Sequence, residues 1–364
     1  MAELLKNMFF TPEFVGKLSA ALKKVHQPFD EVRFKKLVFD NDWEKRELKE
    51  RMRHISVCLG ELLPEKYEDS LKILSNVSIQ FSGFDSMVFP DFVEVYGLEK
   101  LQVSLNALEE FTKLCSAEFA IRPFLLKYPE AVFERMNQWA EHPNEMVRRL
   151  SSEGCRPRLP WAMRVPHLIK NPRPVIEILE KLKNDPSESV RRSVANNLND
   201  ISKDHPDLAQ NICEKWYGED PQTDAIVKHA LRGLLKKGNH RALALFGYED
   251  ADNVRIENLS LSESSPKIGE EIYFSFDLHV NKKLPVNLRL EYAVYFRKAK
   301  GSLSKKVFKI SEGTFDKKII HLKRKLSFAD FTTRKHYPGE HQLSVIVNGL
   351  EKAKTTFNLL DSEL

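Results

Sequence analysis

An eight-residue pattern recurs in the middle of the chain, and its spacing constrains the fold more than any other feature of the sequence. It reads HPNEMVRR at 142–149 and DPSESVRR at 185–192, an offset of 43 residues. Residues 220–229, DPQTDAIVKH, form a looser third copy with two additional residues. Helical units of about 40 to 47 residues are typical of HEAT-type repeats, which stack into a curved solenoid with a concave face. The repeat therefore predicts an all-α solenoid, with an ordinary helical bundle as the alternative.

The sequence around the repeat also predicts helices. Proline-containing breaks recur through 1–245, and proline ends a helix but is well accepted in the first turn of the next one. Between the breaks, apolar residues follow the helical spacing of i, i+4, i+7 and i+8. One such face is formed by Phe14, Leu18, Ala21, Leu22 and Val25. We expect a helical domain over 1–250.

The C-terminal part has the pattern of β-strands. Its apolar residues alternate with period two, are rich in aromatic and β-branched types, and are separated by Gly- and Pro-containing turns. The segments with this pattern are 272–278, 288–296, 307–310 and 342–347. Several short strands of this kind predict a smaller all-β immunoglobulin-like sandwich of about 100 residues over 251–364. The Cys, Trp and Cys signature of antibody domains is absent, so the term describes shape only.

Charge is unevenly distributed between these two parts. The 364 residues carry a formal net charge of +5, which by itself is too small to indicate a nucleic-acid partner. However, 251–364 contains 20 basic and 14 acidic residues, whereas 1–250 contains 37 and 38. Within 281–335 there are 16 basic and 4 acidic residues. We expect the β-domain to contact an anionic partner, although lysines that protect edge strands would produce the same bias.

Several functional classes are disfavoured by what the sequence lacks. The four cysteines form no CxxC pair, which argues against a zinc module and a disulfide scaffold. The histidines are isolated, whereas a nuclease or phosphatase would need metal-ligating clusters. The N-terminus does not resemble a secretory signal, and no apolar run approaches the ~20 residues that span a bilayer. We expect a soluble, cytoplasmic monomer without membrane contact, metal or cofactor.

The repeats place polar residues in register. Arg149 and Glu153 are separated by four residues and share a helix face, and Arg192, Asn196 and Asp200 continue the same spacing on the next repeat. The 43-residue offset aligns Arg149 with Arg192 and Glu153 with Asn196. This predicts one polar stripe across adjacent repeats. The alternative is a solvated face whose ion pairs each contribute only ~0.2–0.5 kcal/mol.

A proline-rich loop, GCRPRLPW, follows this stripe at 154–161. Its two X-Pro steps stop the helix and stiffen the backbone. Trp161 at its end has carboxylates nearby, and such an indole attracts cations through its π face. Core packing is the alternative position for this tryptophan.

With the two VRR repeats and the loop GCRPRLPW, the chain resembles the HEAT-like-repeat DNA alkylation repair glycosylases, in the AlkC branch of the AlkC/AlkD superfamily. The β-rich part is similar to the immunoglobulin-like domain that some AlkC-type proteins carry. The resemblance covers essentially the whole chain, and its middle blocks are the most specific. The blocks are EKRELKERMRHI at 44–55, FAIRPF at 119–124, VRRLSSEG at 147–154, RPRLPW at 156–161 and SVRRSVANNLND at 189–200.

The resemblance implies base excision repair, through hydrolysis of the N-glycosidic bond of N-alkylated bases in duplex DNA. Its substrates would include 3-methyladenine and 3-methylcytosine, whose positive charge makes the base a good leaving group. Carboxylates would then stabilise an oxocarbenium-like sugar and position water, as in glycoside hydrolysis. The resemblance also implies that no deep base-flipping pocket is needed. It assigns catalytic roles to Glu118, Glu153, Trp161 and Asp200. Either Glu153 or Asp200 would hold the water, with Glu153 the first choice.

The basic residues would then contact DNA phosphates without reading sequence, which suits a lesion that occurs anywhere. In the helical part the expected contacts are Arg122, Arg148, Arg149, Arg156, Arg158, Arg191, Arg192, Lys228 and Arg232. In the β-domain they are Lys323, Arg324 and Lys325, as a second clamp on the duplex. A DNA substrate would associate the protein with the nucleoid. The main alternative function is that of a non-catalytic HEAT-like DNA-binding or scaffold protein.

Overall fold

The computed structural model describes residues 5–248, 251–330 and 335–362, which form seventeen α-helices followed by seven β-strands. The helices are α1 Leu5–Met8, α2 Pro12–Val25, α3 Glu31–Val38, α4 Leu48–Gly60, α5 Tyr67–Ser78, α6 Val88–Tyr96, α7 Leu101–Thr112, α8 Ile121–Lys127, α9 Pro129–Trp139, α10 Glu145–Gly154, α11 Pro166–Lys170, α12 Arg173–Leu182, α13 Glu188–Asp204, α14 Pro206–Trp216, α15 Pro221–Ala230, α16 Arg232–Lys236 and α17 His240–Leu245. The strands are β1 Val254–Leu261, β2 Glu271–Val280, β3 Val286–Arg297, β4 Leu303–Phe315, β5 Ile319–Ser327, β6 Gly339–Val347 and β7 Leu350–Leu359. The predicted fold class, a helical part followed by a smaller immunoglobulin-like β part, is confirmed. None of the helices in the described ranges has the length and apolarity that a membrane crossing requires.

The recurring sequence pattern corresponds to a recurring helix start. Arg148 donates from Nη1 to the carbonyl oxygens of His142 and Pro143, both at 2.9 Å. Arg191 does the same one repeat later, to the carbonyls of the Asp185-Pro186 turn at 2.6 and 2.9 Å. The first arginine of each VRR triplet therefore satisfies the carbonyls of the turn that precedes its own helix.

The same pattern joins one repeat to the next. The Arg148 guanidinium also binds Asp185 in two places, with Nε at 2.6 Å from Oδ2 and Nη2 at 3.0 Å from Oδ1. The valine before each basic pair is fully buried, and helix α13 packs against both α10 and α15. The 43-residue spacing thus specifies the stacking of consecutive helical units.

The strands form two antiparallel sheets. β1, β2 and β5 make one sheet with β2 in the centre, and the other has the order β4-β3-β6-β7. The inward residues of both sheets, among them Phe274, Phe276, Leu290 and Val345, share one apolar core. Burial alternates along β2 as the sequence pattern predicts, whereas β3 and β6, the central strands of the four-stranded sheet, are buried on both faces along much of their length.

Contacts between residues divide the chain into two units. The main part of the second unit begins at Leu231, before the change in composition near residue 250. The first unit contains the residues up to Ala209 together with Lys215–Ala230, and the second contains Gln210–Glu214 and the residues from Leu231 onward. Helices α16 and α17 therefore belong with the β-strands. One reason is a close backbone approach, since a Cβ on Gly349 would lie 2.6 Å from the Cα of Gly238. Both glycines have positive φ, +82° and +70°, which other residues rarely adopt.

A buried histidine makes the β-unit sensitive to acid. The His341 ring is fully buried, stacks on Phe357 with centroids 5.3 Å apart, and bonds through Nδ1 to the Gly339 carbonyl at 2.9 Å. Burial lowers its pKa from 6.5, and the nearby His336 and Arg297 lower it further. Below about pH 6.5 the unfolded chain therefore binds a proton that the folded unit resists, so stability is lost as the pH falls.

We predict that the midpoint of denaturant unfolding of the β-unit falls between about pH 7.5 and about pH 5.5. His341→Gln should show a smaller fall, because its side chain does not titrate, whereas His321→Gln at an exposed position should keep the acid sensitivity. An equal fall in the wild type and in His341→Gln would contradict this assignment.

Candidate active site

Two helices of neighbouring repeats bring Glu153 and Asp200 together around one arginine. Glu153 lies in the last turn of α10 and Asp200 lies in α13, and Arg156 follows α10. The Arg156 guanidinium donates from Nη1 to Glu153 Oε1 at 2.6 Å and from Nε to Asp200 Oδ2 at 2.9 Å. All three side chains are buried. Burial lowers the pKa of Arg156, but the two carboxylates outweigh it and the net direction is upward.

A second arginine extends this group to Glu118. Arg149 places Nη2 3.1 Å from Glu118 Oε2 and 3.9 Å from Glu153 Oε1. Ser116 donates from Oγ to the same Glu118 oxygen at 2.6 Å and accepts from Arg149 Nη1 at 3.2 Å. Three members of the predicted stripe, Arg149, Glu153 and Asp200, thus belong to a row of alternating charges, which we call the carboxylate row. Its members are Glu118, Arg149, Glu153, Arg156, Asp200 and Lys203. The other two residues of the predicted stripe have different partners, since Arg192 pairs with Glu188 and Asn196 bonds to His229.

The carboxylates differ in how much of their hydrogen-bonding capacity is used. Both oxygens of Asp200 accept from cations, Oδ2 from Arg156 and Oδ1 from Lys203 Nζ at 2.8 Å. Among the described residues, Glu153 Oε2 and Glu118 Oε1 accept no hydrogen bond from the protein. The two glutamates therefore each keep one oxygen that could bind a water or face a cation, and Asp200 does not.

Trp161 is exposed, which excludes the core position that sequence alone leaves open. Its surface is 63% accessible, and its φ of +62° lies in the left-handed region that a bulky side chain rarely adopts. Such backbone outliers persist where the surrounding structure holds them, and they are frequent at functional sites. The loop after α10 thus presents an indole to solvent.

Arg122 has a different role from the phosphate contact predicted for it. Its side chain is fully buried, which lowers its pKa to about 10. It donates from Nε to the Met163 carbonyl at 2.6 Å, and from Nη1 to the carbonyls of Gly154 and Arg156, both at 2.9 Å. Because the guanidinium is inaccessible and its Nε and Nη1 already bind carbonyl oxygens, the structure does not support the predicted phosphate contact of Arg122. Arg122 instead fixes the loop that carries Trp161.

The other basic residues of the helical part that are predicted to bind DNA lie in different settings. Arg148 and Arg191 bind the helix-start carbonyls described above, and Arg149 and Arg156 belong to the carboxylate row. Arg158 binds Asp204 through two bonds of 2.7 and 2.6 Å. The exposed Arg192 pairs with Glu188 and lines a groove of about 400 Å³ between α13 and α15. The remaining two lie on helices, Lys228 on α15 and Arg232 at the start of α16.

Lys323, Arg324 and Lys325 do not form one patch, because alternate residues of a strand point to opposite faces. Lys323 places Nζ 4.7 Å from the centre of the Tyr273 ring, and Lys325 binds Glu271 at 2.9 Å, so both lie on the outer face of the sheet. Arg324 is paired in register with the buried Phe274 and lies on the other face.

Sequence reasoning missed some partners of the site. Lys203 is three residues after Asp200 and Ser116 is two before Glu118, so local spacing could have identified both.

Within residues 5–248, 251–330 and 335–362, no three His, Cys, Asp or Glu side chains converge as a metal site would require.

Comparison with known proteins agrees with this architecture. The family model for DNA alkylation repair enzymes matches residues 114–234, and the model for the C-terminal Ig-like domain of the uncharacterised protein YhaZ matches 255–361. The Bacillus subtilis (strain 168) protein YhaZ, itself uncharacterised, is 46% identical over 360 residues, 99% of this chain and 100% of the relative.

A solved structure is similar over nearly the full length. It is the Pseudomonas fluorescens alkylpurine DNA glycosylase AlkC, bound to DNA containing an abasic site analog. The two chains are 38% identical with a TM-score of 0.94, and the match covers 98% of this chain and 100% of that one. The present chain therefore belongs to the DNA alkylation repair enzyme family, in the AlkC branch that carries a C-terminal Ig-like domain.

The exposure of Trp161 predicts a selective fluorescence signal. The other tryptophans, Trp43, Trp139 and Trp216, are at most 5% accessible. Acrylamide should therefore quench mainly Trp161, and Trp161→Phe should remove most of the quenchable emission. Trp216→Phe, which removes a buried indole, should leave the quenchable component in place. Equal quenching of wild type and Trp161→Phe would show that the loop buries this side chain.

Proposed function

We propose that this protein is a DNA glycosylase that hydrolyses the N-glycosidic bond of cationic N-alkylated bases in duplex DNA. Its substrates would be of the 3-methyladenine and 3-methylcytosine type. The observation that carries the proposal is the carboxylate row, in which two glutamate oxygens are left unpaired, together with the loop directly after Glu153 that presents Trp161. A non-catalytic DNA-binding protein would have no need for this combination.

The chemistry required of the protein is modest, because the leaving base is already positively charged. As the bond between the base nitrogen and C1′ breaks, its electron pair neutralises the base and the positive charge moves to the sugar. Carboxylates close to C1′ stabilise that charge. Water then adds its oxygen to C1′, and a carboxylate accepts the proton that the water loses.

Glu153 is our first choice for holding the water. Arg156 and Arg149 both approach its Oε1, which leaves Oε2 to accept a hydrogen bond from a water molecule. Glu118 has the same arrangement across Arg149 and could stabilise the sugar or the same water. Asp200, with both oxygens bound to cations, holds Arg156 in place. The flat face of Trp161 would pack against the sugar or the cationic base.

DNA binding is proposed to rest on exposed basic groups on both units. On the helical unit the candidates are the exposed Arg192 and the partly exposed Arg158, and on the outer face of the β1-β2-β5 sheet they are Lys323 and Lys325. Phosphate contacts of this kind position a duplex without reading its sequence. This suits an enzyme whose target is defined by damage.

The activity is tested by incubating the protein, in the presence of a metal chelator, with duplex DNA treated with a methylating agent. We expect free 3-methyladenine or 3-methylcytosine to be released, as measured by chromatography of the soluble bases. Binding to an abasic duplex without any release would reject the enzyme in favour of a DNA-binding protein.

Glu153→Gln is expected to lower the single-turnover rate of release by about 100-fold or more, because an amide cannot accept the proton from water. DNA affinity should stay close to that of the wild type. Glu177→Gln, at an exposed position of α12, is the matched control and should retain full activity. A Glu153→Gln variant with wild-type rates would remove the water-holding role from this residue.

For the β-unit, Lys323→Ala together with Lys325→Ala should weaken duplex binding and lower the slope of log affinity against log salt by about 0.9 per lost phosphate contact. Arg324→Ala removes one positive charge, from the opposite face, and should change the slope by less than half of the effect of the double variant. If Arg324→Ala has the larger effect, the outer face of this sheet is not the DNA-binding surface.

A further inference from the structure

The backbone at Trp161 needs a restraint from outside its own loop. A left-handed φ places Cβ close to the following carbonyl oxygen, so an L-residue with a side chain leaves this region unless contacts hold it. Pro157 and Pro160 stiffen the chain before Trp161, but they do not fix its own carbonyl. The contact made by that carbonyl oxygen is therefore informative.

Lys49 of α4 provides the contact. Its Nζ donates to the Trp161 carbonyl oxygen at 2.8 Å, and the ammonium lies 4.3 Å from the centre of the Phe119 ring. Phe119 directly follows Glu118 of the carboxylate row. Burial also lowers the pKa of Lys49, consistent with an ammonium partly withdrawn from water. One lysine thus contacts both the Trp161 backbone and the segment that carries Glu118.

The neighbours of Lys49 leave it available for this contact. Arg53, one turn further along α4, binds Asp91 through Nε at 3.0 Å and Nη2 at 2.9 Å, and it also binds Glu94. These two acidic residues are therefore paired with Arg53. The Lys49 ammonium is directed at a neutral carbonyl and an aromatic face.

Arg122 also binds this loop, through other carbonyl groups. It binds the carbonyls of Gly154, Arg156 and Met163, while Lys49 binds that of Trp161. Four carbonyls between the end of α10 and Met163 therefore accept hydrogen bonds from two cations. Both cations come from helices other than α10, so the loop conformation is imposed by the surrounding structure.

We propose that Lys49 is a positioning residue for excision. It holds Trp161 in the left-handed conformation and fixes its indole relative to the carboxylate row. The proposal rests on the proposed function for the effect on excision rate, but not for the contact itself. It also gives the N-terminal helices, which precede the matched enzyme-family region of 114–234, a part in building the site.

The test compares Lys49→Met, which keeps the length of the side chain and removes the donor, with Lys45→Met. Lys45 is an exposed lysine just before α4, paired with Asp42 and without a contact to the loop, so it controls for the loss of one positive charge. We expect Lys49→Met to lower the single-turnover excision rate by about 10- to 100-fold, the range that a small misplacement of a reacting group can produce. Its affinity for an abasic duplex should match that of Lys45→Met, and Lys49→Arg, which restores a charged donor, should recover much of the rate.

Two further measurements separate positioning from a general structural effect. Acrylamide quenching of Trp161 should change in Lys49→Met and return towards the wild-type value in Lys49→Arg. In a Trp161→Ala background, Lys49→Met should cause no additional loss of rate, because Lys49 acts through that residue. If Lys49→Met does not fold, Lys49→Ala, which also removes the donor and is well accepted in a helix, allows the same comparison.

Several outcomes would overturn the proposal. One is excision by Lys49→Met at the rate of Lys45→Met, and another is an additive loss in the Trp161→Ala background. A third is weaker DNA binding with a salt slope lowered by about 0.9 and unchanged quenching, which would make Lys49 a phosphate contact instead. If the wild type itself releases no base, the proposed function fails, and the quenching comparison alone decides whether Lys49 holds Trp161.

Discussion

The bonds from the Arg156 guanidinium to Glu153 and Asp200 are the interaction on which the rest of the site depends. Removing a carboxylate from water costs several kcal/mol of folding free energy. Deleting the cation that is paired with a buried carboxylate costs ~3–5 kcal/mol, so buried acids of this kind require a paired cation. Arg156 and Asp200 are 44 residues apart in sequence and are joined only because α10 and α13 stack. The pairing of charges in the site therefore depends on the stacking of the two repeats.

The alternation of charge along the carboxylate row resolves two opposed requirements. A cationic lesion and a developing sugar cation favour acids, whereas the phosphates around them favour bases. By placing an arginine between successive carboxylates, the fold keeps negative charge at the proposed reacting centre without a net repulsion of DNA. The row has three acidic and three basic members, a balance also found over 1–250, which contains 37 basic and 38 acidic residues.

The two units differ in where their charged side chains lie. The repeats supply buried, mutually paired charges, whereas the outer face of the β1-β2-β5 sheet supplies Lys323 and Lys325 beside an exposed tyrosine. The relative from Bacillus subtilis and the AlkC structure both match this chain over nearly its full length. The β-unit is accordingly part of the architecture that these proteins share.

The sequence by itself determined the class of the fold and half of the members of the carboxylate row. Local periodicity predicts helices and strands, and the fixed offset of 43 residues is enough to place Arg149, Glu153 and Asp200 on equivalent helix faces. The sequence also predicts the loop that follows α10 and ends at Trp161. These features depend on neighbours within one or two helical turns, or on a repeat that can be counted.

Only the tertiary structure decided which charges are available and which are already paired. Arg122 has the same residue type as a phosphate contact but is buried beneath a loop, and Arg324 is turned away from its neighbours by the pleat of its strand. Lys49 reaches the Trp161 carbonyl across 112 residues of sequence, a contact that no spacing rule could predict. Burial and long-range hydrogen bonding are properties of packed helices and sheets, and for that reason they follow from the folded chain and not from any local segment.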